Sequence, residues 1–502
     1  VKPSKEFTSR YEVAKKYRDD AERDIRDALK FCANGRESDF TSTTSSPEPE
    51  EIFSTYAEEA ALDFASDLVT YYTPPEARWA DLEATLEVDQ DELDEETMEA
   101  ILGLVKSRED KLFSLIEGSN YYDVAPQVFF EASHGTMAMW VQQSHIAQPI
   151  YCEPVPPHEL LIAPGHNGYL DRFREVMVRS QHLKATLDGL DVDLSDHDIK
   201  KKTDKPGAIF KVCWGFWLDW SDPAVPFWRF EVTVDGKRVT EEAVELGPLA
   251  GSCPLMVGRF NPQPKKPWGR GPALKALADI FTVDKVNETI LTALDYALGK
   301  SYVYPDDGIL DMSQGLKPNT AYPAAPGTAG SIQELSLAGD LDVGWLAEER
   351  LAERIRVAFY QDGPRQRGDT PPSATQWVDE ARRVQRRIGK PSAPIWSEFV
   401  LPFLQRVEYL AVETGQIEAT ITHAGARLNI KPVSPLQKAQ NQDKVLTTRS
   451  NLDLGMAAFG EAFPQVVDVV GTMKNIIDAS GDELIVLNKQ APNETTPQGP
   501  VG

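Results

Sequence analysis

The spacing of hydrophobic and polar positions changes several times along this chain, and each change predicts a different element. Near the start, Tyr11, Ala14, Tyr17, Ala21, Ile25, Ala28 and Leu29 recur at helical spacing among charged residues, which predicts a surface helix within 1–32. Residues 36–50, RESDFTSTTSSPEPE, form a polar Ser/Thr/Pro linker. A second helix runs through Phe53, Tyr56, Ala60, Phe64, Leu68 and Tyr71, and the Pro pair at 74–75 stops it, because proline removes a backbone donor. Residues 88–136 predict two or three more helices. Their acidic opening lacks the glycine that a calcium loop's sharp turn needs, so it reads as a solvated helix start.

From 136 to 260 the period shortens. MAMWVQQ, ELLIAPGHNGYL, REVMVRS, IFKVCWGFWLDW and PFWRFEVTVDGKRVT are short β-rich runs divided by Pro and Gly turns, with one helical interruption near 179–190. Val-Asp-Gly-Lys at 234–237 has the form of a hairpin turn. Residues 271–298 then return to a long helix, roughly 40 Å at 1.5 Å per residue. Val283, Val286, Ile290, Ala293 and Ala297 step by three and four, and Leu277, Ile280, Leu291 and Leu294 widen the stripe. An apolar surface this broad implies close neighbours on more than one side. Lys275, Asp279, Thr282, Lys285, Glu288 and Asp295 are its polar complement.

Residues 302–340 are rich in Gly and Pro with short β runs. A helix at about 345–360 carries Trp345, Leu346, Leu351, Ile355, Ala358 and Phe359. The loop QDGPRQRGDTPPS follows, then the helices ATQWVDEARRVQRRIG and IWSEFVLPFLQRVEYLAVETG, then a strand, ARLNIKPV. Residues 436–478 read as mostly helical, and 490–502 have a disordered composition. The fold class is therefore α+β, mostly helical with a β-rich section.

At 502 residues the chain is expected to form two to four domains. No stretch approaches the run of ~18 apolar residues that a membrane span needs, and the N-terminus has no apolar core of a secretory signal. Cys32, Cys152, Cys213 and Cys253 are widely spaced, which fits reduced thiols better than a zinc site. The net charge of −26 argues against a surface that grips nucleic acid, since such binding relies on Lys and Arg displacing counterions. It leaves open a protein that contains or guides DNA without gripping it.

Candidate chemistry is sparse. Gly299-Lys300-Ser301 invites a phosphate-loop reading, but Leu294 stands where that motif requires glycine, and the triplet closes a helix instead of opening one. His134, His158 and His166 lie in loops or at strand edges, with no metal-binding helix motif beside them. No nucleophile elbow is present. No catalytic set, metal site or cofactor is expected.

One stretch asks for a mechanical role. GRFNPQPKKPWGRGPALKALADIFTVDK (258–285) is a Pro- and Lys-rich loop that feeds straight into the long helix. Gly269, Arg270, Gly271 and Pro272 form its elbow, with Pro272 near the first helical turn, where proline is tolerated. A phosphate-binding turn at the helix N-terminus, with Lys265, Lys266 and Arg270 close by, is the alternative reading of this stretch.

The order of these segments resembles the portal (head-to-tail connector) proteins of short-tailed, podovirus-type bacteriophages. The resemblance runs through EEAALDFASDLVTYYTPPEARWADLE, KLFSLIEGSNYYDVAPQVFFEASHGTMAMW, PPHELLIAPGHNGYLDRFREVMVRS, CPLMVGRFNPQPKKPWGRGPALKALADIFTVDKVNE and SATQWVDEARRVQRRIG followed by EFVLPFLQRVEYL. Together these cover roughly 50–430. No single one is diagnostic; their order is the signal.

The resemblance implies a homo-oligomeric ring, usually of twelve copies, at one capsid vertex in the virion, assembled in the host cytoplasm. Double-stranded DNA would pass through it without sequence specificity. The implied partners are the terminase large subunit, tail adaptor proteins, and the major capsid and scaffolding proteins, with no membrane. The family's parts map as a wing over 1–270, stem helices at 271–298 and 345–360, and a clip at 299–344. A channel loop at 361–374, helices returning to the wing at 375–435, a crown at 436–489 and a tail at 490–502 complete it.

Val283, Val286, Ile290 and Leu294 would pack between subunits in the stem. Arg365, Gln366 and Arg367 would face DNA, unless the arginines pair with Asp362 and Asp369. Arg382, Arg383, Arg386 and Arg387 form a basic stripe suited to pairing across subunits or with Asp379. Twelve copies would carry a charge on the order of −300, which repels phosphates so that DNA slides. Two rival readings are a β-rich hydrolase-type enzyme and a non-ring adaptor of a large assembly.

Overall fold

The computed structural model describes residues 2–40, 51–86, 95–143, 150–298, 301–303, 333–335, 341–361 and 387–418, apart from single positions at 77, 188–189, 191, 204 and 206. It also describes 422–423, 426–433 and short helical stretches within 445–476. The fold is α+β, with helices and antiparallel sheets. Two compact units divide the chain. One comprises 1–67, 123–142 and 152–406; the other comprises 68–122, 143–151 and 407–502.

The first unit is organised around antiparallel strands β4 (Leu160–Pro164), β5 (Leu170–Arg179), β6 (Ile209–Asp219), β7 (Phe227–Val234) and β8 (Lys237–Arg238), adjacent in that order. β9 (Val244–Pro248) adds to β7. The β7–β8 connection is the expected two-residue hairpin. Asp235 and Gly236 both hold positive φ, 49° and 75°, as a turn matched to strand twist requires.

Alternation along β6 sorts its side chains. Phe210, Val212, Trp214, Phe216 and Leu218 enter the main core, while Cys213 and Trp217 enter a smaller cluster on the other face. Helix α1 (Lys5–Cys32) covers that second face. It is capped by Ser4, whose hydroxyl accepts from the Phe7 amide at 3.0 Å, and Phe7 meets Phe173 edge-on at 5.5 Å. The Ser4 amide in turn donates to the buried carboxylate of Glu231 at 2.9 Å.

On the main-core side lies a three-stranded sheet ordered β10 (Leu255–Arg259), β2 (Thr136–Gln142), β3 (Tyr151–Pro154). Its Trp140, Leu255 and Val257 pack with Trp214 and Phe216 of the larger sheet. The helical interruption predicted near 179–190 is α5 (Ser180–Thr186). A second short helix, α6 (His197–Thr203), follows it where the sequence pattern gave no helical period.

The long helix is α7 (Pro272–Leu298), and α8 (Leu341–Ala358) packs along it. Between them, β11 (Ser301–Val303) and β12 (Gln333–Leu335) pair antiparallel. Most of the residues expected to form a clip lie outside the described ones. Helix continues without a break from 387 to 413, through a π-helical turn at Trp396–Val400 into α9 (Leu401–Glu413). The sequence pattern breaks at Pro391 and Pro394, yet the helix absorbs both, and the Pro391 carbonyl accepts from the Asn261 amide at 2.7 Å.

In the second unit, α3 (Glu95–Glu117) packs against β1 (Asp81–Leu86). β1 pairs antiparallel with β14 (Ala426–Val433), and β14 pairs with β13 (Thr422–His423). Trp79 is buried, stacks edge-on with Phe113 at 5.3 Å and donates to the Tyr122 hydroxyl at 3.2 Å. Arg108 is buried as well; its Nε donates to Glu408 at 2.9 Å and its Nη1 to the Glu418 carbonyl at 2.7 Å. Helices α2 (Tyr56–Tyr72) and α4 (Tyr121–Phe130) each run across a boundary between the two units in the chain.

Candidate functional site

The elbow at 269–272 is held by one side-chain hydroxyl and by backbone carbonyls. The Gly269 amide donates to Thr136 Oγ1 at 2.9 Å, the Arg270 amide to the Phe260 carbonyl at 3.0 Å, and the Gly271 amide to the His134 carbonyl at 3.2 Å. Space is as restricted as hydrogen bonding. A Cβ on Gly269 would overlap the Gly135 carbonyl and lie 2.6 Å from the Phe260 carbonyl. A Cβ on Gly271 would overlap the Ser133 carbonyl. Only glycine permits so close an approach of two backbones. Pro272 then opens α7, where its missing N–H costs nothing.

Beneath the elbow lies a buried charged group. His134 Nε2 and Glu131 Oε2 are 2.7 Å apart, and the Arg36 guanidinium reaches the other Glu131 oxygen at 2.5 Å. Burial would raise the Glu131 carboxyl, but the His134 hydrogen bond and the Arg36 charge outweigh it and hold the group below the ordinary carboxylate value. The sequence offered one cue to this partner loop, the Gly135 of SHGT; the ion pair itself left none, because Arg36 is distant in sequence.

From the elbow, α7 and α8 form an antiparallel hairpin. Asp279 pairs with Arg354 at 2.9 Å near the elbow, and Gly344 lies against Ile290 further out. Two polar side chains of α7 clamp the segment before α2. Asp284 Oδ1 accepts from the Phe53 amide at 2.6 Å, and Asn287 Nδ2 donates to the Phe53 carbonyl at 3.1 Å. The end of α8 returns to the elbow through aromatic contacts: Phe64 meets Phe260 at 5.4 Å and Phe359 at 6.1 Å.

The apolar stripe of α7 outruns this packing. Ala273, Ala276, Ile280 and Val283 are buried within the chain. At 100° per residue Leu291 and Leu294 continue the same face, yet they are 48% and 39% exposed. Val286 and Ile290 lie between, half-buried. Thus Val283 packs inside its own protomer and Leu294 lies open. Trp345 and Leu346, at the same outer end of the hairpin, are 53% and 51% exposed.

A family model described as bacteriophage head to tail connecting protein matches residues 4–484. The chain belongs to that family. Two solved structures are similar to this connector: the neck of an empty gene transfer agent (GTA) particle and the virion of a native GTA particle. The first is 13% identical with a TM-score of 0.34, covering 82% of this chain and 86% of that one. The second is 12% identical with a TM-score of 0.35, covering 81% and 86%. No curated protein matches the connector.

Of the connector's basic stripe, Arg387 lies within the described residues; Arg382, Arg383 and Arg386 lie outside them, as do Arg365, Gln366 and Arg367. Arg387 Nη2 donates to the Val357 carbonyl at 3.0 Å, and its guanidinium lies 5.5 Å from the Tyr360 ring. It therefore caps the last turn of α8, where a cation suits the helix dipole. All four cysteines are buried free thiols. Among the described residues no cluster of His, Cys, Asp or Glu is placed to hold a metal ion.

Proposed function

We propose that this connector is a portal: a ring, of twelve copies as in the family it resembles, that serves as the conduit for double-stranded DNA at one capsid vertex. In this reading it performs no catalysis. It docks the terminase large subunit during packaging and the tail adaptors afterwards, and it nucleates assembly with the scaffolding and major capsid proteins.

The observation that carries the reading is the run of the α7 stripe past its own core. Leu291 and Leu294 continue a buried face into solvent, and Trp345 and Leu346 are exposed beside them. Contiguous exposed apolar side chains mark a contact surface, and a helix packed side by side with its copies around a channel needs one. The polar face opposite, with Lys275, Thr282 and Lys285 exposed, suits a second, wetter environment.

The elbow supports the same picture. Backbone packed this tightly transmits displacement between the β-rich body and the hairpin with little give. Electron microscopy of the purified protein tests the proposal: rings of about a dozen subunits with a central hole support it, and a compact monomer by light scattering overturns it.

A further inference from the structure

Arg172 and Arg174 stand two apart on β5 and so point to the same, core-facing side of the sheet. Their surroundings differ. Arg174 Nη2 lies 2.6 Å from Glu153 and 3.0 Å from Glu159, and its guanidinium covers the Trp140 ring at 5.3 Å. Arg172 is only 8% exposed, yet no carboxylate among the described residues lies within ion-pair distance of it. Its Nη1 donates to the Leu255 carbonyl at 2.6 Å, the guanidinium sits 5.0 Å from the Trp228 ring, and its buried Nε has no partner. A buried guanidinium without a counter-charge is costly, because desolvation is not offset.

Arg172 lines a half-open cavity of about 230 Å³, with Tyr169, Trp228, Met256, Leu401 and Gln405 among its walls. The rim at 249–251 is fixed from two sides. Trp228 Nε1 donates to the Leu249 carbonyl at 3.1 Å, and the buried Arg406 donates to the carbonyls of Gly251 at 3.0 Å and Ser252 at 2.8 Å. Cys253 is also in the wall, and burial pushes its thiol upward.

We propose that this cavity receives a carboxylate carried on a short, partly apolar peptide segment of a partner protein. Arginine's planar donor fork matches a carboxylate, and the aromatic and aliphatic walls suit the stem that carries it. The cavity is below the ~300–1,000 Å³ of sites for larger small molecules. A duplex phosphate is met by cations at an open surface, whereas this one lies within an apolar cleft.

Calorimetric titration of the full-length protein with four probes tests the assignment. They are acetyl-Ala-Asp-Ala-amide, its Asn counterpart, acetyl-Ala-Leu with a free terminal carboxylate, and inorganic phosphate. One of the two carboxylate peptides should bind at least about tenfold tighter than the Asn peptide or phosphate, a gap that a charge-assisted hydrogen bond supplies. Which one does so distinguishes an internal acidic residue from a chain terminus. Arg172→Gln should remove that preference. Ala250→Phe, at an exposed position of the cavity wall, should block binding without touching Arg172 or the fold. No binding by any probe, equal binding of phosphate or the Asn peptide, or unchanged carboxylate binding in Ala250→Phe would each overturn the proposal.

Discussion

The carbonyl of Ser133 occupies the space that a side chain on Gly271 would need. Replacing Gly271 with Ala therefore forces two backbones apart and should destabilise the protein by at least the ~1–3 kcal/mol typical of overpacking. Gly103 of α3 is the control, because nothing lies within 4 Å of a Cβ built there. Gly103→Ala in that helix should be neutral or stabilising, by up to about 1 kcal/mol. Urea unfolding curves of the two variants should shift in opposite directions.

Glu131 gives the same region a pH dependence. Its carboxyl is held below the ordinary value of 4.5, so the folded state binds that proton more weakly than the unfolded chain does. The resulting stabilisation is complete above the ordinary value and is lost as pH falls through the lowered one. Glu131→Gln should therefore flatten the acid limb of a plot of unfolding midpoint against pH. It should also lower the midpoint at neutral pH, since Arg36 and His134 lose their partner. An acid limb as steep as in the parent would refute the assignment.

The outer end of the hairpin separates folding from assembly. Leu291→Asp and Leu294→Asp place a charge on an already exposed surface, so each protomer should keep its far-ultraviolet circular dichroism. If copies pack there, the new charge is buried unpaired in the ring, which costs several kcal/mol per interface. Sedimentation velocity should then show small species in place of rings. Rings of undiminished yield would locate the subunit contact elsewhere.

For the loop 361–374, Arg365→Ala combined with Arg367→Ala should leave ring assembly intact and reduce the yield of packaged genome. Contacts between arginines and backbone phosphates carry no sequence information, so the loss should not depend on the genome used. Unchanged genome yield would show that they do not face DNA.

Much of the fold was legible because its signals are local. The β-rich runs IFKVCWGFWLDW and PFWRFEVTVDGKRVT, with the Val-Asp-Gly-Lys turn, predicted β6 to β8, and Gly-Arg-Gly-Pro marked the start of α7. What sequence could not supply was partnership across distance. β1 carries too short and weak a pattern to be seen as a strand, and it exists because β14 pairs with it. Val283 and Leu294 look equivalent in the stripe, and only the packed structure shows one buried and the other exposed. Arg172 and Arg174 likewise differ only in which carboxylates the fold brings to them.

The pairing of β1 with β14 sets a clock on synthesis. Asp81 finds its partner in Val433 and Leu86 in Leu428, more than three hundred residues later in the chain. At roughly 5–20 residues per second of translation, β1 leaves the ribosome tens of seconds before the strand that completes it. Throughout that interval its edge is open to other strands, including the β1 of a neighbouring nascent copy. The yield of correctly folded protomers should therefore respond to translation speed and to helper proteins that shield open edges.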